Sequence, residues 1–203
     1  MTDYLTLDEY KALAKTEDVL NTEDDARIQS FITHASRLVD TFTSRPEGAY
    51  QVAVQASTSD RYYEDAAGDE VKIDEAVAVT AVATSTDGGS TFTSLTVDTD
   101  YWTSDGLHYG QAPTRLLIAN PNGTQLVWPR GRRAVKVTGR WGYATAAPAP
   151  IQQAVYRLAR LMYHQKPSND DDRTVITAQG IYLPASAIPR DVQVMLAPFK
   201  RMI

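Results

Sequence analysis

Residues 128–143, Trp-Pro-Arg-Gly-Arg-Arg-Ala-Val-Lys-Val-Thr-Gly-Arg-Trp-Gly-Tyr, set five cations among three large aromatics and alternate with a period of two. Successive side chains of an extended strand point to opposite faces. Val135, Val137, Gly139 and Trp141 therefore share one face, and Lys136, Thr138 and Arg140 the other. One face is dry and the other cationic, a pattern that only a strand in a sheet can use. The run ends at Gly142-Tyr143, and beyond Pro148 and Pro150 an amphipathic helix opens at about Ile151.

Helical periods bracket this strand region on both sides. Thr6 with Glu9 three residues on is a capping-box pattern ahead of Tyr10, Ala12 and Leu13. Thr22, with Glu23, Asp24 and Asp25 after it, opens a longer helix over 23–44. There Ile28, Phe31, Ile32, Ala35, Leu38, Val39 and Phe42 recur at steps of three and four as one apolar stripe. Pro46 and Gly48 end it. Between 50 and 143 the runs 52–56, 61–64, 71–74, 77–86, 91–97 and 101–103 are short and rich in Val, Thr and Tyr, the composition of antiparallel strands. Asp87-Gly88-Gly89 is the strongest turn among them, since glycine accepts the positive φ of a reversal. Ser104-Asp105-Gly106 and Asn120-Pro121-Asn122-Gly123 signal others.

From Ile151 the helical period returns. Ile151, Ala154, Val155, Leu158, Leu161 and Met162 line one face of a helix over 151–165, and Arg157, Arg160 and His164 gather on another. Lys166-Pro167 and the Ser168 to Arg173 run predict a mobile loop, and 175–183 a short extended pair or an arm. Pro189 starts a last helix over 191–202, interrupted at Pro198. The sum is an α+β chain divided into helices at 1–49, an antiparallel β region at 50–143, and helices at 144–203 with the loop or arm at 166–188.

Composition narrows the class. A chain of 203 residues, 43% hydrophobic, buries roughly 70% of its unfolded surface on folding. No apolar run nears the roughly 20 residues that span a bilayer, and the acidic start lacks the order of a signal peptide, so the expectation is a chain kept in a cytoplasm, away from membranes. The absence of cysteine excludes disulfides, thiolate metal sites and thiol catalysis. Charge is polarised: residues 1–100 carry 20 acids and 7 bases, a balance of −13, whereas 101–203 carry 5 acids and 13 bases, +8. Such polarity suits association of unlike surfaces.

The order of these motifs resembles the head-tail connector (adaptor, or head-completion) proteins of long-tailed, siphovirus-type bacteriophages. It runs through Tyr4-Leu5-Thr6-Leu7-Asp8-Glu9-Tyr10, Asp24 to Ile28 leading to Ala35-Ser36-Arg37, Arg61-Tyr62-Tyr63 and Asp100-Tyr101-Trp102. It continues with Trp128-Pro129-Arg130-Gly131, Val135 to Gly139, Trp141-Gly142-Tyr143, Pro148 to Ala154, and Leu196 to Arg201. The resemblance implies a helical adaptor core carrying a β insertion and a virion location at the head-tail interface after assembly in the host cytoplasm. It also implies a ring of about a dozen copies, of the kind that closes by rotation. The implied partners are other copies of the chain, the portal protein, a tail-side stopper or tail-terminator protein, and double-stranded DNA passing through. Compact members of that family have a much shorter connection where the β region lies here.

Candidate contact residues follow from charge and position. Arg130, Arg132, Arg133, Lys136 and Arg140, with Arg157, Arg160 and His164, are the expected surface toward a neighbouring copy or partner. The resemblance further implies a portal-docking C-terminal segment, expected at Leu183, Pro184, Pro198, Phe199, Lys200 and Arg201. Guanidinium groups also suit phosphates. A channel that lets DNA slide avoids cation clamping, because each neutralised phosphate adds affinity and drag. The basic strand is therefore expected at an outer face or a seam, against acidic protein surface, and no sequence-specific DNA reading is expected.

No enzyme is expected. His34, His108 and His164 lack partners at a useful spacing, and Asp170-Asp171-Asp172 lacks the alternation and turn glycine of a calcium loop. Asp87-Gly88-Gly89 leads into a strand and not a helix, which excludes a phosphate-cradling loop; no cofactor or metal is expected. The alternative reading is a carbohydrate- or protein-binding β module with helical flanks, using Tyr62, Tyr63, Tyr101, Trp102 and Tyr109. Alternation turns one aromatic of each adjacent pair inward.

Overall fold

Thr6 caps the first helix by the reciprocal bonds its spacing with Glu9 predicts: Glu9 N–H donates to Thr6 Oγ1 and Thr6 N–H to the Glu9 carboxylate, 2.7 Å away. The computed structural model describes residues 3–14, 22–51, 58–64, 68–104, 114–123, 127–164, 174–176, 182–184 and 188–201. These divide into a helical unit from 1–47 with 147–203, and a β unit from 48–146. The chain is thus α+β, with the sheet inserted between helices.

Helices α1 (Leu7–Leu13), α2 (Asp25–Thr43), α3 (Ala149–His164) and α4 (Arg190–Leu196) build the first unit. The helix expected at 23–44 begins two residues later, because Thr22–Asp24 form a tighter 3-10 turn ahead of it. It closes at Ser44, whose left-handed φ of 57° lets its N–H reach the Asp40 and Thr41 carbonyls before Pro46. Ile28, Ile32, Ala35 and Val39 of α2 are buried, and α2 packs on α3, whose Ile151, Ala154, Val155 and Leu158 are also buried. Each such Ile, Val or Leu side chain contributes about 1.5–3 kcal/mol.

The expected last helix is shorter. α4 stops at Leu196 and Ala197–Phe199 tighten into a 3-10 turn, since Pro198 lacks the N–H and sterically opposes a regular helix. Both ends of the chain's described part are tied to α2. Tyr4 N–H donates to Ser36 Oγ and its hydroxyl to Asp40, Arg45 donates to the Phe199 carbonyl, and Arg201 N–H to the Thr43 carbonyl at 2.9 Å.

The β unit holds β1 (Ser59–Tyr63), β2 (Glu70–Thr84), β3 (Thr93–Leu95), β4 (Tyr101–Ser104), β5 (Thr114–Ala119) and β6 (Val135–Trp141) in an antiparallel sheet. The order is β1-β6-β2-β5-β4, with β3 on the end of β2. The two runs expected at 71–74 and 77–86 are one strand of 15 residues. Its inward positions are odd at Val71 and Ile73 and even at Val82 and Thr84, because register shifts lie between Lys72 and Ala76, Ala76 and Ala78, and Val79 and Ala81. Bulges of this kind exchange the two faces of a strand. β2 can then pair one half with β5, Val71 opposite Leu117, and the other with β6, Val82 opposite Val137. Those four residues are core, with Tyr101, Trp128 and Val135.

Strand β5 was not foreseen from the sequence. The expected strand at 52–56, the turn at Asp105-Gly106, Tyr109 and His108 lie outside the described residues. So do Asp170-Asp171-Asp172. Of the expected loop or arm at 166–188, the described parts before Ile188 are β7 (Thr174–Ile176) and β8 (Tyr182–Pro184), an antiparallel pair.

Candidate functional site

Strand β6 keeps the two faces its sequence predicts: Val135, Val137 and Gly139 are buried, and Lys136, Thr138 and Arg140 half-buried. Gly139 lies on the dry face because nothing larger fits, a Cβ there coming within 2.6 Å of the Ala78 carbonyl oxygen. Trp141, at the end, packs on the core edge and donates Nε1–H to the Ser59 carbonyl at 2.9 Å.

The outer face is already populated by the chain's own side chains. Lys136 Nζ lies 2.9 Å from the Asp60 carboxylate of β1, which also accepts from Thr138 Oγ1 at 2.6 Å. The Thr138 hydroxyl first and the Lys136 ammonium second hold the Asp60 carboxyl below its usual range, and Asp60 holds the Lys136 ammonium above its own. Lys136 thus meets an acid of its own sheet. Arg133, at a left-handed φ of 54°, sets its guanidinium 4.0 Å over the Tyr62 ring, and Tyr62 lies 5.9 Å from Phe92. Arg130 and Arg132 are exposed in the turn before β6.

The β2–β3 loop that bears Phe92 is wider than a two-residue turn. Asp87 organises it, its carboxylate accepting from Ser85 Oγ, Ser90 N, Thr91 N and Thr91 Oγ1 at 2.6–3.0 Å, while Gly88 and Gly89 take φ of 75° and 89°. These bonds, led by the Ser85 hydroxyl, lower the Asp87 carboxyl far below its ordinary range.

A second group forms in the helical unit. Arg157, Arg160 and His164 of α3 line one groove of about 520 Å³ with Tyr156 and Leu161, closed on the α4 side by Pro189, Asp191 and Val192. Arg157 is ion-paired to Asp191, whose carboxyl is lowered chiefly by that bond. The sequence brought Arg157, Arg160 and His164 together by helical spacing. It did not reveal Asp191 as a partner 34 residues away, for which no local signal exists.

The expected docking segment is split. Leu183 and Pro184 lie in β8, whereas Pro198 to Arg201 run beside the end of α2, with Lys200 Nζ 5.5 Å from the Phe42 ring. Of the aromatics expected to line a binding face, Tyr101 is buried and Tyr63 packs on the core, leaving Tyr62 and Trp102 exposed. Among the described residues no group of three or more His, Asp or Glu could hold a metal ion, and no helix is long and apolar enough to cross a membrane.

No protein-family profile and no curated protein matches the chain. Solved structures do. The fold is similar to a chain in the neck of an empty gene transfer agent (GTA) particle computed with C6 symmetry, at TM-score 0.56 and 14% identity, over 98% of this chain and 91% of that one. It is similar to a chain in the neck of the native GTA particle computed with C12 symmetry, at 0.52 and 14%, over 100% and 95%. A chain of the virion of the native GTA particle aligns at 0.55 and 15%, over 98% and 91%.

Proposed function

We propose that this chain is a structural subunit of the head-tail neck of a phage-like particle, an adaptor that forms a ring under the portal and lets the genome pass. The observation that carries the reading is the fold likeness to neck chains over nearly the whole of both partners, helices and inserted sheet together. A ring of identical copies requires each to present two unlike surfaces that fit each other. The split of −13 and +8 between the two halves of the sequence supports that requirement. The motif order read from the sequence points the same way, toward the connector proteins of long-tailed bacteriophages.

In this role the work is mechanical. The helical unit supplies a rigid body whose faces meet neighbours, the C-terminal segment at Pro198 to Arg201 reaches the portal, and the opposite face receives a stopper or terminator. DNA moves through without sequence-specific contact. Electron microscopy of the purified chain, alone and mixed with the portal protein of the same particle, tests this. Closed rings, or a collar of this chain on the portal, are expected. A chain that stays solitary and unbound in both samples sinks the reading.

A further inference from the structure

At one corner of the β unit an arginine occupies a backbone conformation that its side chain opposes. Arg133, in the turn before β6, sits at φ 54°, where a Cβ crowds the following carbonyl and glycine is the residue of least cost. Two other elements accommodate it. The Tyr62 ring of β1 supports its guanidinium at 4.0 Å, and Gly89 of the β2–β3 loop leaves room for its stem, a Cβ there coming within 2.9 Å of Arg133 Cβ. Phe92, 5.9 Å from Tyr62, extends the stack. Arg133 is exposed, and among the described residues no hydrogen bond or ion pair engages its N–H groups. The acid of the adjoining loop, Asp87, has its oxygens occupied by Ser85, Ser90 and Thr91. A strained residue of this kind persists only where its surroundings hold it, and such residues gather at functional contacts. A guanidinium stacked by its face keeps its planar fork for an anion, in a pose already fixed before the partner arrives.

We propose that the Arg133 fork receives the Glu70 carboxylate of a second copy of this chain, with Asp98 beside it. The proposal rests on the ring reading above and names the surfaces that meet. Strand β2 separates the two: its last residue, Thr84, faces Val135 next to the Arg133 turn, and its first, Glu70, faces Ile118. Asp98 belongs to the Glu70 end, since its N–H donates to the Tyr101 carbonyl and Tyr101 faces Ala119. Glu70 and Asp98 are exposed and make no ion pair among the described residues. Asp69 adjoins them, and Lys72, on the face of Glu70, offsets one of the three acids. Each copy thus holds carboxylates at one end of β2 and an unengaged fork at the other. Charge complementarity selects the occupant, and the chain itself supplies it, with 25 Asp and Glu against 20 Lys and Arg. The contact is heterologous, residue i meeting a different residue j, and so closes a ring by rotation. Glu64, exposed at the end of β1 beside the corner, offers the contrasting geometry: two copies exchanging Arg133 and Glu64 form an isologous pair that stops at a dimer.

Charge exchange tests the pairing. Full-length Arg133→Glu and Glu70→Arg chains are each expected to lose rings, or collars on the portal protein, in electron microscopy. An equal mixture is expected to regain them, because every junction of an alternating ring then joins unlike charges. Normal assembly by both variants alone, or none from the mixture, overturns the contact and leaves the neck reading intact. Arg133→Gly separates contact from fold: it keeps the left-handed backbone without the strain, so it is expected to melt near the wild type while its yield of rings or collars falls several-fold. A lowered melting temperature with unchanged assembly makes Arg133 a residue of the fold alone and overturns the proposal. Labelled duplex DNA bound by the wild type and released by Arg133→Gly, with assembly unchanged, assigns the fork to phosphate instead. Wild-type chains that form neither rings nor collars remove the neck reading, and this contact with it.

Discussion

Lys136 on β6 places its ammonium 2.9 Å from the Asp60 carboxylate on β1, one step diagonal to the register in which Asp60 faces Thr138 and Tyr62 faces Lys136. The segment that most constrains the fold thereby draws on the chain's acidic half within its own sheet. The cations of the preceding turn are treated differently: Arg133 lies on Tyr62, and Arg130 and Arg132 are exposed.

Asp60 is expected to titrate below the ordinary carboxylate range. A carboxyl lowered in the folded state adds stability above its unfolded pKa, and that stability is lost as pH falls through the folded value. Thr138→Val and Lys136→Met are each expected to raise the Asp60 pKa, because each removes a bond to the ionised carboxylate. Carbon-detected NMR titration of the three proteins checks both shifts.

Tyr63 sits at the core edge with its phenol oxygen accepting from Asp74 N–H at 3.1 Å, and burial pushes its pKa up to about 12 from 10.0. An acid whose folded pKa is raised stabilises the fold fully below its unfolded value and loses that contribution as pH climbs through the folded one. Stability of the wild type is therefore expected to fall between pH 10.0 and about 12. Denaturant melts across that window are expected to show a shallower decline for Tyr63→Phe.

Gly139→Ala is expected to destabilise the β unit by about 1–3 kcal/mol, because the new methyl meets the backbone of β2, which cannot rotate away as a side chain would. Gly88→Ala faces open space at φ 75° and is expected to cost about 1–2 kcal/mol from the left-handed backbone alone. Amide chemical-shift changes distinguish them: spread along Ala76–Ala81 for the first, confined to the loop for the second.

Tyr4→Phe removes the hydroxyl donor from the buried Asp40 carboxylate, which keeps Arg37 Nε at 3.4 Å. Losing a hydrogen bond to a charged group costs about 1.5–3 kcal/mol. Thr6→Ala loses the cap of α1, about 1 kcal/mol. Denaturation measures both, and hydrogen exchange is expected to place the Thr6 effect in Leu7–Leu13 alone.

How far the fold was legible depends on whether a local rule was in force. The capping box at Thr6, the α2 stripe and the two faces of β6 were readable because one helix turn or one strand step decides them. β2 was read as two strands because its bulges reverse the inward parity between Ile73 and Val82. β5 was missed because Leu116-Leu117-Ile118 is a continuous apolar run without alternation, which periodicity cannot assign. At the candidate site, the spacing of Arg157, Arg160 and His164 was visible. The groove they line was not, since Pro189, Asp191 and Val192 come from a distant helix.

The amino-acid order by itself determined the α+β class, the helix and strand periods, the absence of thiol chemistry and the charge asymmetry, because these depend on neighbours within a few residues or on composition alone. Tertiary structure alone decided which acid each of two cations meets. Lys136 is matched to Asp60 and Arg157 to Asp191 by packing across long stretches of chain, and Coulomb attraction is felt by distance in space, not by position along the sequence.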